Sequence, residues 1–229
     1  MFQFLFKNRI SPTVAIQPRP AVRIVRTSSV RKIFAPDRIG LVGFHDPAFV
    51  IARPAEPFKG WLQERAQKLH DKLGGGGTNI AAGLRLSTEL LEQTPPGVLR
   101  RIWLLSDGEA NREVEGIMPA IERAKAARVN VNCIGIGNKF DEALLRRIVD
   151  ACHNGKFVPI TTLRELTDAL LARGTSDAPQ RLRHHRSETT VIACDCSLSM
   201  SEQMDGKPKI KVVEEAVMRL LLHKHRNFA

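Results

Sequence analysis

Three short stretches of the 229-residue chain gather oxygen ligands where a strand ends or a helix begins. DCSLS at 195–199 sets Asp195, Ser197 and Ser199 on alternate positions just past the apolar run VIAC. GGTN at 76–79 offers Thr78 ahead of an amphipathic segment, and SDGE at 106–109 puts Asp107 at the end of the apolar LRRIWLLS. In an open α/β sheet, loops at the carboxyl ends of strands converge on one crevice. Two carboxylates and three hydroxyls gathered there suit a hard, oxygen-seeking cation such as Mg2+, which keeps some of its waters and prefers near-octahedral geometry. Singly, each stretch has a plain structural reading as well: an Asp-Gly turn, a flexible glycine loop, a helix cap.

Other chemistries lack parts. GGGGTN has no Gly-Lys-Ser/Thr ending and so is not a nucleotide-binding P-loop. The loops carry no Ser-His-Asp set and no acid–base pair beyond the two carboxylates, which describes a cation holder and not an enzyme. The competing reading is a metal-dependent phosphoesterase-like hydrolase, for which Glu109 is the one candidate general base; the same residue could merely cap a helix. Cys133, Cys152, Cys194 and Cys196 contain no Cys-x-x-Cys pair and read as buried, reduced thiols, favouring a reducing, cytoplasmic setting. Cys194 and Cys196 flank Asp195, where oxidation could reach the site, although small buried thiols explain them as well. His184, His185, His223 and His225 read as solvated side chains rather than ligands.

The net charge of +11 is unevenly placed: residues 1–36 hold seven Lys and Arg and no acid. That basic arm could be an organelle transit segment, could touch nucleic acid or acidic partners with the remainder as scaffold, or could be a solvated tail. With no Tyr and two Trp, the chain offers few stacking platforms for single strands, which argues against nucleic acid. No apolar run approaches the roughly 20 residues of a membrane span.

The elements that must position the three loops alternate along the chain. DRIGLVGF (37–44) and AFVIA (48–52) read as a strand pair, and WLQERAQKLHDKL as a helix ended by four glycines. Asn79 opens the helix IAAGLRLSTELLEQ, stopped by TPPG, and LRRIWLLS follows as a strand buried on both faces. A helix over 114–127, the strand VNVNCIGIG, the helix DEALLRRIVDAC, the strand KFVPI and the helix TLRELTDALLA complete the run. This alternation predicts a doubly wound, mostly parallel central sheet flanked by helices, a Rossmann-like α/β fold. Residues 173–189 read as a linker. Beyond it, TTVIAC reads as a strand and KIKVVEEAVMRLLLHKH as a helix whose Ile210, Val213, Val217 and Leu220 form one apolar stripe that must be buried.

The combination D-x-S-x-S-M, G-G-T-N-I and L-L-S-D-G-E resembles the von Willebrand factor type A (vWA) domain family with its metal-ion-dependent adhesion site (MIDAS). The resemblance covers 37–172 and 190–226. It implies metal ligands at Asp195, Ser197, Ser199, Thr78 and Asp107, holding Mg2+, with Mn2+ or Ca2+ as alternatives. Cys196 departs from the pattern at a variable position. The order departs further: the family's first strand, metal loop and first helix come last here, so 190–229 is expected to complete the 37–172 core by circular permutation. Two other sources could fill the central slot: the same unit swapped from a second copy, which would give a dimer where permutation gives a monomer, or the arm, whose TVAIQPRP at 13–20 faintly echoes TVIACDCS. The latter sets Pro18 and Pro20 where the ligands belong. The resemblance implies metal-dependent binding of a partner protein's Asp or Glu, with an AAA+ ATPase as the partner class to test first.

Overall fold

The computed structural model describes residues 36–57, 59–152, 154–172 and 187–228, all within one unit of the chain spanning 34–229. The arm before Pro36, the echo at 13–20, His184, His185 and most of the linker lie outside the described residues.

Strand β1 (Arg38–Phe44) turns back through His45–Pro47 into β2 (Ala48–Ala55). There follow α1 (Gly60–Ala66), α2 (Ile80–Glu92), β3 (Leu99–Ser106), α3 (Ile117–Ala126), β4 (Val129–Ile136), α4 (Glu142–Ala151), β5 (Phe157–Ile160) and α5 (Leu163–Leu171). After the linker come β6 (Glu188–Asp195), the two-residue strands β7 (Gln203–Met204) and β8 (Lys207–Pro208), and the long α6 (Lys209–Phe228). The large sheet runs β2-β1-β6-β3-β4-β5, parallel throughout except for β2. Helices cover both faces, as a parallel sheet requires.

β6 lies in the centre. It pairs in parallel with β1 from Arg38↔Thr189 to Phe44↔Asp195 and with β3 from Leu99↔Glu188 to Leu105↔Cys194. Because side chains alternate across a strand, its Ile192 and Cys194 enter the core layer of α1, α5 and α6, while Val191 and Ala193 enter that of α2, α3 and α4. The α6 stripe Ile210, Val213, Val217 and Leu220 is fully buried in the first layer, each side chain contributing about 1.5–3 kcal/mol by leaving water. Gly83 on α2 is what lets that helix approach the sheet: a Cβ there would fall 2.7 Å from the Phe44 ring.

Asn79 caps α2 as expected, its side chain accepting from the Ala82 N–H. Two expected helices are corrected. WLQERAQKLHDKL is not one helix: α1 stops at Ala66 and a 3-10 turn covers Leu69–Lys72. α1 has no side-chain cap and no acid in its first turn, and the break sets His70 Nδ1 2.8 Å from Glu214 Oε2 on α6. The segment from Val114 likewise begins as a 3-10 turn, Val114–Gly116, entered through Glu113 at φ 45°; the α-helix proper starts at Ile117, with Pro119 in the first turn where its missing N–H costs nothing. Ahead of α6, β7 and β8 form a small hairpin around Asp205 and Gly206, both at positive φ, as a tight Asp-Gly turn demands.

Candidate functional site

Asp195 ends β6, fully buried at 0% exposure. Its Oδ1 accepts the Ser197 N–H at 2.9 Å and its Oδ2 accepts the Ser106 hydroxyl at 2.9 Å. The chain leaves the sheet through Cys196, whose N–H donates to Phe44 O at 2.7 Å and whose carbonyl accepts Gly74 N–H at 2.9 Å, so the glycine run lies along the loop. A 3-10 turn, Leu198–Ser201, then brings the two serine hydroxyls within 2.8 Å of each other. The Ser199 hydroxyl donates to Asp107 Oδ1 at 2.8 Å across 92 positions of sequence. Thr78 comes in from the start of α2, its N–H held by Asn111 Oδ1 at 2.8 Å, with Asn111 N–H returning to Thr78 O at 3.3 Å. A Cβ on Gly108 would stand 3.7 Å from Thr78 Oγ1 and 3.8 Å from Ser199 Oγ, which locates both hydroxyls over that glycine. All five sequence-derived residues therefore meet beyond the carboxyl ends of β6 and β3.

The two carboxylates differ in electrostatic state. Burial pushes the Asp195 carboxyl up to about 6, against the Ser197 N–H and hydroxyl and the Ser106 hydroxyl that favour its charged form; the nearby Asp107 charge adds to the rise. Among the described residues no cation pairs with Asp195. Asp107 does have one: Lys209 Nζ donates to its Oδ2 at 2.7 Å and to Glu202 Oε2 at 2.9 Å, and Glu202 Oε1 takes Lys139 at 3.0 Å. Burial works against the Lys209 charge, yet Asp107 and Glu202 outweigh it and raise its pKa.

Lys209 was missed in sequence. The signal was its place: a cation at the first position of a helix opposes the helix dipole, and the side chain must find carboxylates to be tolerated in the interior. Leu198 was missed too; it sits between Ser197 and Ser199 and is 59% exposed, an apolar side chain at the mouth of a polar site. Glu109 is exposed on the loop after β3 and caps no helix: the next one, a 3-10 turn, follows Glu113 and has no side-chain cap. The four cysteines are free and buried. Cys194 donates to Asp195 O at 3.3 Å, and its hydrogen bonding with Cys196, together with burial, raises its pKa well above the usual thiol value, so it is no ready thiolate.

The donor set fits a small hard cation: three hydroxyls, two carboxylates, and one of those carboxylates buried with no counter-charge among the described residues. The family model of the von Willebrand factor type A domain matches residues 26–171. The chain belongs to the vWA family. The matched range runs through α5 and stops short of β6, the 195–199 loop and α6. vWA domains are generally protein-interaction modules.

Among solved structures, a von Willebrand factor type A protein from Catenulispora acidiphila is similar at 23% identity over 54% of this chain, with a TM-score of 0.46. The chain spans 29% of that protein's length. An uncharacterized membrane-spanning protein from Vibrio fischeri is similar at 26% identity over 58% of this chain and 73% of its own, with a TM-score of 0.29. No curated protein matches. Among the described residues, no helix of this vWA chain is long and apolar enough to cross a membrane.

Proposed function

We propose that this vWA domain is a metal-dependent protein-binding module of the MIDAS type. Asp195, Ser197, Ser199, Thr78 and Asp107 would hold Mg2+, with the neutral hydroxyls supplying most of the contacts. Bound there, the ion would keep enough positive character to take up a carboxylate from another protein. The observation that carries the reading is Asp195: a buried carboxylate, without a cation among the described residues, beside the serine hydroxyls of its own loop, with the Thr78 hydroxyl and the Asp107 carboxylate brought in from two other loops. Leu198 at the mouth gives the partner an apolar foothold beside its acid. An AAA+ ATPase is the first partner class to test.

The domain is further proposed to be a circular permutant, monomeric, with 190–229 completing the 37–172 core. The support is the seam at the far end of the sheet. Lys224 near the end of α6 donates to Asp37 Oδ2 at 2.7 Å, just ahead of β1, so α6 and β1 approach where the family order would join them.

Capture from source-cell lysate on the immobilised chain, with Mg2+ or with chelator, tests the function. Partners retained only with Mg2+, and lost in Asp195→Asn and Thr78→Val, are expected. The same proteins in both lanes and on both variants would refute the adhesion-site reading.

A further inference from the structure

Resting on that metal reading, we propose that Lys209 is a built-in competitor cation: its ammonium group holds the outer oxygen of Asp107 and thereby lowers the affinity of the site for divalent metal. Both oxygens of Asp107 are engaged, Oδ1 by Ser199 at 2.8 Å and Oδ2 by Lys209 at 2.7 Å. A metal ion drawing on Asp107 must share it with a positive charge or displace that charge.

Lys209 is built into this position rather than draped over it. It is 3% exposed at the start of α6, the helix end where a cation is least favoured. Its backbone N–H donates to Glu202 O at 2.9 Å and its side chain to Glu202 Oε2 at 2.9 Å, fixing it at both ends. The stem crosses Gly137, which has φ 78° and no side chain; a Cβ there would lie 3.2 Å from Lys209 Cε. The Asp-Gly hairpin of β7 and β8 delivers the residue to this point. Glu202 in turn is tied to Lys139 on the loop after β4, so displacement of the ammonium would loosen the rim on two sides.

A purely structural lysine and a competitor make opposite forecasts. Were Lys209 only a prop for Asp107, its loss would disorder the carboxylate and weaken metal binding. As a competitor, its loss removes repulsion and strengthens it. Mg2+ itself is the probe, titrated into the full chain by calorimetry and followed by melting temperature. Lys209→Met and Lys209→Gln are expected to bind Mg2+ roughly tenfold or more tightly than wild type. Their metal-free forms should melt lower, their Mg2+-induced rise should be larger, and Lys209→Arg should stay near wild type. Wild type indifferent to Mg2+ beside a Lys209→Gln variant that binds it would support the proposal in its extreme form, while removing the metal reading for the native protein. Affinity equal to or below wild type in folded Lys209→Gln overturns the proposal and leaves the metal reading standing. No Mg2+ binding by wild type or either neutral variant overturns both. Should those variants not fold, exposed Glu202→Gln decides: it frees the ammonium for Asp107 alone and should weaken Mg2+ binding about threefold, and an unchanged affinity overturns the proposal.

Discussion

Two buried aspartates mark opposite ends of the central strands, and they are treated differently. Asp37, 2% exposed, meets Lys224 at 2.7 Å and the Glu188 N–H at 3.0 Å, while Glu188 also reaches Arg101 at 3.2 Å. Asp195, equally buried, has hydroxyls and an N–H but no cation among the described residues, and its pKa rises to about 6. One end is a closed ion-pair cluster that ties α6 and β6 to β1. At the other, Lys209 serves Asp107 and Glu202, and none of the described cations reaches Asp195. A buried carboxylate whose counter-charge is supplied within the fold serves cohesion, and one without it is a standing cost that an outside cation can relieve.

The largest effect should come from removing what both ends share. A chain ending after Arg186 loses β6, α6, Lys224 and three of the five site oxygens, and is expected to aggregate or turn molten, seen as loss of a cooperative melt. The buried surface of those elements exceeds what a domain with about 5–15 kcal/mol of stability can lose. A gene placing 187–229 before Pro36 and ending near Gly174 should restore the melt, because the same strands meet in the same spatial order; failure to fold would break the seam argument.

Next, Asp37→Ala should cost about 3–5 kcal/mol in denaturant titration, since it removes the carboxylate that holds the largely buried Lys224 at 2.7 Å and accepts the Glu188 N–H, and should leave Mg2+ affinity unchanged. A matching loss of Mg2+ affinity would mean that the two ends are not independent.

Asp195→Asn should behave in the opposite sense. The folded-state pKa of Asp195 is raised above its unfolded value, so folding takes up a proton, and metal-free wild type should lose stability as pH rises from about 4 to about 6. The fall amounts to about 3 kcal/mol, at about 1.4 kcal/mol per pKa unit, and then levels off. Asp195→Asn should abolish this slope, and saturating Mg2+ should oppose it above pH 6. A wild-type profile parallel to that of Asp195→Asn in the absence of metal would show that Asp195 is compensated after all.

The smallest change in stability belongs to Leu198→Ser, within about 0.5 kcal/mol of wild type as for an exposed position. It should leave Mg2+ binding intact and reduce partner capture, separating the ion from the surface around it.

What could be read in advance follows the same division. The alternation of elements, the Asn79 cap and the stripe on α6 were legible because each depends on periodicity and local chemistry. So was the meeting of the five oxygens at one end of the sheet, since each follows an apolar strand or opens a helix. Lys209 was not, because its partners are Asp107, 102 positions away, and a Glu202 that looks like any exposed acid. The break after Ala66 was hidden by a continuous helical pattern through Leu62, Ala66 and Leu69, all buried, and is set by contacts with α6 that no local window contains. The hairpin ahead of α6 was signalled by its Asp-Gly pair but is too short for strand patterning to reveal.

The central position of β6 also has a consequence in time. Its partners β1 and β3 are both translated long before it: Ser106 at the end of β3 precedes Glu188 by 82 positions, or roughly 4–16 s of synthesis at about 5–20 residues per second. Throughout that interval the nascent chain holds two halves of a sheet whose facing edges have nothing between them, an arrangement open to mispairing with neighbouring polysomal chains. Thr78 and Asp107 leave the ribosome among the early arrivals, and Asp195, Ser197 and Ser199 among the late ones. The five oxygens can meet only once the sheet has closed, so their assembly marks the moment at which a growing chain becomes a finished domain.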